Sequence, residues 1–407
     1  MQTVGRVSLL AASLIAASLF SQSASSPQMP TGQDVTPTQT VWQMQDSGTT
    51  AGLRGIDSVD GKVAWASGSR GTVLRTTDGG QHWTRCATPD ANKDGATLDF
   101  RGVQAWDAQT AIVMASGPGD KSRLYKTADG CRTWKLVFVN PDKGGFWDCL
   151  LFLYASGRDK GRIGHLIGDP VDNKFPEFGT YDYGKTWTRD LSPHPETASA
   201  KNGESIFAAS NSAMVLIRGG IFFVTGGSTS RSRTLELQVK HDPHVFFRFF
   251  GGEIPMKHGP SAGAFSVAAR LGLDSVAVAD RSKYIERATH AGDVLVTVGG
   301  DYAKPDDSTG TAAWSSDGGF HWIASTEMPH GYRSAVQWSE SLKAWITVGT
   351  NGSDISRDDG RTWQPLDNGN WNALSLPFVV GPNGRIARLR PTLNLLSSPM
   401  AHRSVRK

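Results

Sequence analysis

The sequence predicts an all-β protein, a β-propeller of four-stranded antiparallel blades, with seven blades expected and six or eight as the alternatives. Its ring is expected to be closed by an N-terminal strand. Three observations carry that expectation. The stretch "TTDGGQHW" (Thr76 to Trp83) recurs as "TADGCRTW", "TYDYGKTW", "SSDGGFHW" and "SRDDGRTW", each with a hydroxyl residue, an Asp two later and a Trp five beyond that. The aspartates Asp78, Asp129, Asp182, Asp317 and Asp358 lie 51, 53, 135 and 41 residues apart, and a period of about 40 to 50 residues is the length of one blade. The 407-residue chain also holds 46 glycines and 13 tryptophans, the turn formers and large packing elements of antiparallel sheets.

Taken in order, the chain opens on "MQTVGRVSLLAASLIAASLF", with one Arg, an apolar run and then the small and polar residues "SQSASSPQMP". That is the pattern of a secretory signal. Residues 1–24 are therefore expected to be a signal peptide cleaved near Ser23 to Ser25, and residues 25–39 a linker. The apolar run is short for a bilayer, no Cys follows it to accept a lipid, and no later segment could cross a membrane. The mature protein is expected to be exported, periplasmic or secreted.

Residues 40–395 are expected to form a single propeller domain. The segments "VAWASGSRGTVLRT" and "AIVMASGPGDKSRLYKT" before the first two acidic turns each read as two strands joined by a glycine-containing turn. The long gap takes one blade without such a turn, its inner strands from "ESIFAASNSAMVLIRGGIFFVTGG" and its outer edge from "HVFFRFFGGEIP". The next blade begins at "GAFSVAA" and holds the extra stretch "DRSKYIERATHAG", a short helix or loop. After Trp363, "NWNALSLPFVVGPNGRIARL" supplies three strands, and "TVWQMQDS" (residues 40–47) supplies the fourth. Pairing the chain ends in one blade removes two sheet edges. Residues 396–407 are a short basic tail.

The repeated turn has a mechanical reading. Asp accepts backbone N–H bonds two residues on, Gly supplies positive φ, the hydroxyl adds a local bond and the Trp opens the outer strand as a wedge. Asp78, Trp83, Asp129, Trp134, Asp182, Trp187, Asp317, Trp322, Asp358 and Trp363 are thus structural. A net charge of +4, from 42 basic and 38 acidic residues, argues against nucleic acid or a membrane surface as partner. Three cysteines, Cys86, Cys131 and Cys149, allow at most one disulfide, and buried thiols are the preferred reading.

These five turns resemble the Asp-box repeats of sialidase-type propellers, with Cys131 standing where the box has Gly. The phrases "GSRGTVLRTTDGGQHW" and "FVVGPNGRIARL" resemble the photosystem II stability/assembly factor-like propellers, over nearly all of the chain after about residue 40. The second resemblance implies a chaperone-like role in the biogenesis of membrane complexes. This propeller type serves binding, assembly and hydrolysis alike, so the resemblance implies fold more sharply than function.

Propeller ligands usually sit over the central channel. Aligning the expected inner-strand starts places Arg54, Arg101, Asp148, Glu204, Arg333 and Asn372 at equivalent positions, with Trp147, Tyr332 and Trp371 beside them. Three converging arginines would favour a planar anion. The alternative is that Asp148 and Glu204 neutralise them. The loop "GGDYAKPDD" adds Asp301, Tyr302 and Lys304 if it reaches the same rim, and "GDPVDNKFP" (Gly168 to Pro176) is a weaker case of the same kind.

The leading expectation is a non-catalytic propeller binding a protein segment or an acidic small molecule or glycan at this rim, with Trp147 and Trp371 as stacking platforms if the ligand is a carbohydrate. The alternative is a sialidase-type glycoside hydrolase. That resemblance implies an arginine triad (Arg54, Arg101, Arg333), a nucleophile (Tyr332), its base (Glu204) and an acid (Asp148). The Arg-Ile-Pro signature expected ahead of the first box is replaced by "GLRGID". No cofactor or metal is expected. "DANKDGATLDF" places Arg101 where a calcium loop needs a bidentate carboxylate, and "HDPH" offers only two imidazoles.

Overall fold

The computed structural model describes residues 41–153, 161–189, 198–217, 220–235, 251–271 and 293–390. The expected signal peptide, linker and basic tail, the "HDPH" and "HVFFRFF" stretches and "DRSKYIERATHAG" lie outside the described residues.

The fold is all-β with seven blades. Blade 1 runs outward from Leu53–Ser58 through Ala64–Gly68 and Thr72–Thr76 to Thr84–Arg85, every pair antiparallel. Blade 2 repeats this with Phe100–Ala105, Ala111–Ala115, Arg123–Thr127 and Lys135–Val139. Blade 3 is built from Trp147–Phe152, Gly164–Gly168, Glu177–Thr180 and Thr188–Arg189. Blade 5 uses Gly259–Arg270, Val294–Asp301, Ala312–Ser315 and Ile323–Ala324. Blade 6 uses Ala335–Ser339, Ala344–Gly349, Gly352–Ser356 and Gln364–Asp367. Blade 7 takes Ala373–Ser375, Phe378–Val380 and Ile386–Leu389 from one chain end and Trp42–Gln45 from the other, with Trp42 opposite Leu389. The inner strands touch in sequence around the ring, and that of blade 7 returns to blade 1.

Blade 4 departs from the expected continuous inner strands. Glu204–Ser205 pairs with Gly226–Gly227, and Met214–Ile217 pairs with Gly220–Val224, so residues 206–213 stand opposite only residues 224 and 225. Ser232–Leu235 is the third strand. The "GGEIP" end of the expected outer edge pairs with it, through Ser232 N to Gly252 O (2.9 Å) and Ile254 N to Ser230 O (2.8 Å).

The acidic turns share one geometry. The hydroxyl of Thr76 donates to Asp78 Oδ1 (2.9 Å) and accepts from Gly80 N (2.9 Å), and the Ser356, Asp358 and Gly360 set repeats both distances. The carboxylate reaches further than the expected two residues: Asp129 Oδ1 accepts from Arg132 N and Thr133 N, both at 3.0 Å. Cys131 takes the glycine's place at φ +67°, its amide still bound to Thr127 Oγ1 (3.1 Å). It also corrects the expectation of buried thiols, because Cys131 is disulfide-bonded to Cys86 of blade 1 and only Cys149 is free.

Each tryptophan of these turns leans on the blade before it. Trp83 Nε1 donates to Gln45 Oε1 of blade 7 (3.0 Å), Trp134 Nε1 to Ala87 O beyond blade 1 (2.8 Å) and Trp322 Nε1 to Ser232 Oγ of blade 4 (3.0 Å). Trp187 stacks on Phe138 of blade 2, and Trp363 is buried among Val294 and Val296 of blade 5. Cations reach the other way: Arg75 donates to Ala108 O of blade 2 (2.6 Å), and Arg388 to Gly79 O of blade 1 (2.7 Å). The apolar core is accordingly divided into clusters, one filling each gap between neighbouring blades.

Candidate functional site: the central rim

The break in the inner strand of blade 4 sends residues 206–213 across the axis of the ring. Their small side chains, Ala208 to Ala213 all being Ala, Ser or Asn, suit a narrow channel. Ser210 Oγ donates to Ser334 O of blade 6 (2.7 Å), and Ser212 Oγ to Ser266 Oγ of blade 5 (2.7 Å). Asn211, at φ +60°, bonds both backbone groups of Leu150 in blade 3 (2.8 and 3.0 Å). Arg101 Nη1 of blade 2 donates to Ala208 O (3.3 Å). Blades 2 and 6 are not neighbours of blade 4, so the segment bridges the channel and forms a floor.

Phe207 heads this segment. Its ring stacks on Phe265 with centroids 4.0 Å apart and planes 7° from parallel. A side chain on Gly226 would come within 2.4 Å of that ring, so the glycine leaves room for it. Tyr302 meets both phenyl rings edge-on at 6.2 and 6.1 Å and is 52% exposed, the open end of the cluster. Tyr332 meets Phe265 edge-on at 4.9 Å but is itself buried, and burial raises its phenol pKa although Arg54 opposes the shift.

Arg54 and Arg101 adjoin the aromatic cluster, and both face one carboxylate: Asp99 Oδ2 is 3.4 Å from Arg54 Nε and 2.9 Å from Arg101 Nε. Burial lowers the Arg54 pKa, Asp99 opposes that, and Arg101 adds to it. Arg101 also lies over the Phe146 ring at 5.7 Å. Two guanidinium groups sharing one acid leave positive charge beside the aromatics, a combination that suits an anion flanked by apolar surface.

The other expected site residues are placed differently. Arg333 does not converge with Arg54 and Arg101, because its fully buried side chain runs into blade 6 and donates to Asp354 Oδ2 (2.5 Å). Glu204 is held by Arg231, which donates to Oε1 at 2.9 Å and also to Oε2, and by Thr225 Oγ1 (2.7 Å) and Lys201 N (2.8 Å). Burial raises the Glu204 pKa, but these donors outweigh it and leave the group below its ordinary value. Glu204 therefore has its acceptor positions filled by neighbours other than Tyr332.

Asp148 is buried, and its pKa is driven well above the ordinary range, first by desolvation and then by Asp169. Trp147 and Trp371 are core residues, the first stacked on Phe138 and the second packed near Trp42, so neither offers an open stacking face. Asn372 joins inner strands by donating to Leu53 O (2.7 Å). Asp301 accepts from Ser261 Oγ (2.7 Å) and Ala303 N (3.0 Å), which fixes the loop that carries Tyr302.

In "DANKDGATLDF", Asp94 is taken by Lys121 and Arg123 beside a cavity of about 380 Å³. No group of three or more candidate metal ligands occurs among the described residues. The sequence alignment of inner strands did not single out Asp99, Phe146, Phe207 or Phe265. The signal that could have found Phe207 is the run "FAASNSA", which has neither the alternation of a strand nor the residues of a tight hairpin.

Fold and rim together define a seven-bladed propeller whose axis is crossed by its own chain, with cationic and aromatic side chains around the crossing. Among solved structures, the chain is similar to "YCF48 bound to D1 peptide" (TM-score 0.53, 16% identity, 86% of this chain and 96% of that one). It is also similar to YCF48 from Cyanidioschyzon merolae (TM-score 0.50, 15% identity, 86% of this chain and 99% of that one). At such identities the likeness is one of fold. No protein-family model matches the chain. No curated protein matches it either.

Proposed function

We propose that this protein is an exported, non-catalytic propeller that binds a protein segment at its central rim, in the manner of an assembly factor. One observation carries the reading: Arg54 and Arg101 share the carboxylate Asp99, and Arg54 acts on the buried Tyr332, which the exposed Tyr302 also influences. A segment presenting an acidic group next to an apolar or aromatic side chain meets both features at once. The YCF48 structure that holds a D1 peptide supports a protein segment as the ligand class.

The engagement of Glu204 by Arg231 and the burial of Tyr332 weigh against the hydrolase alternative, whose nucleophile and base need mutual contact. Export is supported by the Cys86–Cys131 disulfide, which oxidising compartments favour.

The test is an array of immobilised acidic and aromatic peptides probed with the wild-type protein and with Arg54→Ala/Tyr302→Ala. Captured peptides are expected, with affinity at least about tenfold weaker in the double variant, the loss of one charged and one aromatic contact. No capture, capture indifferent to the double substitution, or turnover of fluorogenic sialosides by the wild type would overturn the reading.

A further inference from the structure

The segment that crosses the axis is held by two carboxyl groups. Asp169 Oδ1 accepts the amide of Ile206 (3.1 Å). Asp148 lies against the backbone amides of Asp169 and Ala208, and its Oδ2 has no hydrogen-bond partner among the described residues. The two acids therefore grip the residues on either side of Phe207. We propose that Asp148 and Asp169 form a proton-sensitive latch that positions the Phe207 segment, and that the rim's hold on a bound segment weakens as the latch ionises. The link to ligand rests on the rim reading above, whereas the latch itself does not.

The charged and titratable surroundings are few. Blade 2 contributes Arg101, whose guanidinium is shared with Asp99 and adjoins Arg54. Blade 3 contributes the pair itself and the buried thiol of Cys149, while residues 206–213 carry no titratable side chain. Glu204 of blade 4 is already neutralised by Arg231.

Burial pushes Asp169 up to about 6 against an ordinary value of 3.8, outweighing the Ile206 amide, and burial together with Asp169 drives Asp148 well above 3.8, outweighing Arg101 and the amides of Asp169 and Ala208. Both folded-state values are raised, so the stability the pair contributes is fully present below the unfolded value. It is lost as pH rises through the folded values. Near pH 5 Asp169 is neutral and the latch is shut. Above about 6 a carboxylate forms on Asp169, and its charge stands against Asp148 in a buried site. Admitting water relieves that strain, and the segment that moves aside is 206–208.

The test is ligand-free nuclear magnetic resonance of the ¹⁵N-labelled full chain between pH 4.5 and 8. The Ile206 amide is expected to titrate with a midpoint near 6, and cross-relaxation between the Phe207 and Phe265 rings to weaken over the same range. In Asp169→Asn, which keeps an acceptor for Ile206 N, the titration at Ile206 is expected to vanish. In Asp148→Asn, which stays neutral throughout, the Ile206 titration is expected to persist with its midpoint still near 6. A pH-independent Ile206 amide in the folded wild type, or an unchanged titration in Asp169→Asn, overturns the latch. Failure of the peptide array alone leaves the latch standing and removes only its ligand.

Discussion

At the scale of single residues, the buried hydroxyl of each acidic turn has more at stake than its half-buried carboxylate. Ser356 is buried, donates to Asp358 and accepts the amide of Gly360, itself a buried residue. Ser356→Ala leaves that amide without a partner and is expected to cost about 1–3 kcal/mol, read from urea unfolding. The aspartates respond to acid instead. The side chain and amide of Thr133 hold Asp129 at about 2, and Asp182 also lies at about 2, where amide and hydroxyl bonds from Thr186 overcome the upward push of burial.

A lowered folded value means the contribution is present above the unfolded value near 3.8 and is lost as pH falls through about 2. Melting temperature is therefore expected to drop between pH 4 and 2, and by less in Asp182→Asn/Thr186→Val, which removes both partners. These turns were legible because their residues act on one another within eight positions. The ion pairs that take Glu204 and Arg333 out of the channel were not, because Arg231 and Asp354 approach from other strands of their own blades. A rule of equivalent positions cannot see such partners.

At the scale of elements, the tryptophans of the turns serve neighbouring blades more than their own. Trp363 is 3% exposed and packs on blade 5. Trp363→Leu is expected to lose about 2–3 kcal/mol through the void it leaves, below the roughly 3–5 kcal/mol of truncation to alanine because leucine refills part of the site. Chemical denaturation followed by near-ultraviolet circular dichroism would register the change. Blade count and the closing strand were readable from periodicity and from the Trp-led look of residues 40–47. The crossing segment was not, because a strand start such as "ESIF" gives no warning that the chain leaves the sheet two residues later. Its course is set by long-range bonds to Ser334, Ser266 and Leu150, and by glycines that clear space for Phe207.

At the scale of the whole molecule, stability is distributed over the gaps between blades, and two devices bind the ring: the closing strand of blade 7 and the disulfide between blades 1 and 2. The disulfide joins residues 45 apart, which in a chain-entropy account contributes about 4 kcal/mol. Denatured but unreduced protein is expected to yield one titratable thiol, from Cys149, and reduced protein three. In the native state Cys149 should resist alkylation at pH 8, since burial pushes its thiol up to about 12. A chain beginning at residue 48 lacks Trp42–Gln45 and bares the edge of Ile386–Leu389. It is expected to melt earlier and to self-associate on size-exclusion chromatography.

The pairing of Trp42 with Leu389 also orders events in time. Of the described strands, the first in the chain has its partner in the last, so it must wait, unmated, while every intervening sector is synthesised and delivered. A chain interrupted anywhere upstream of Ile386 never supplies that mate, and the torus stays open. Sealing thus works as an inspection, granted only to polypeptides that extend through Leu389.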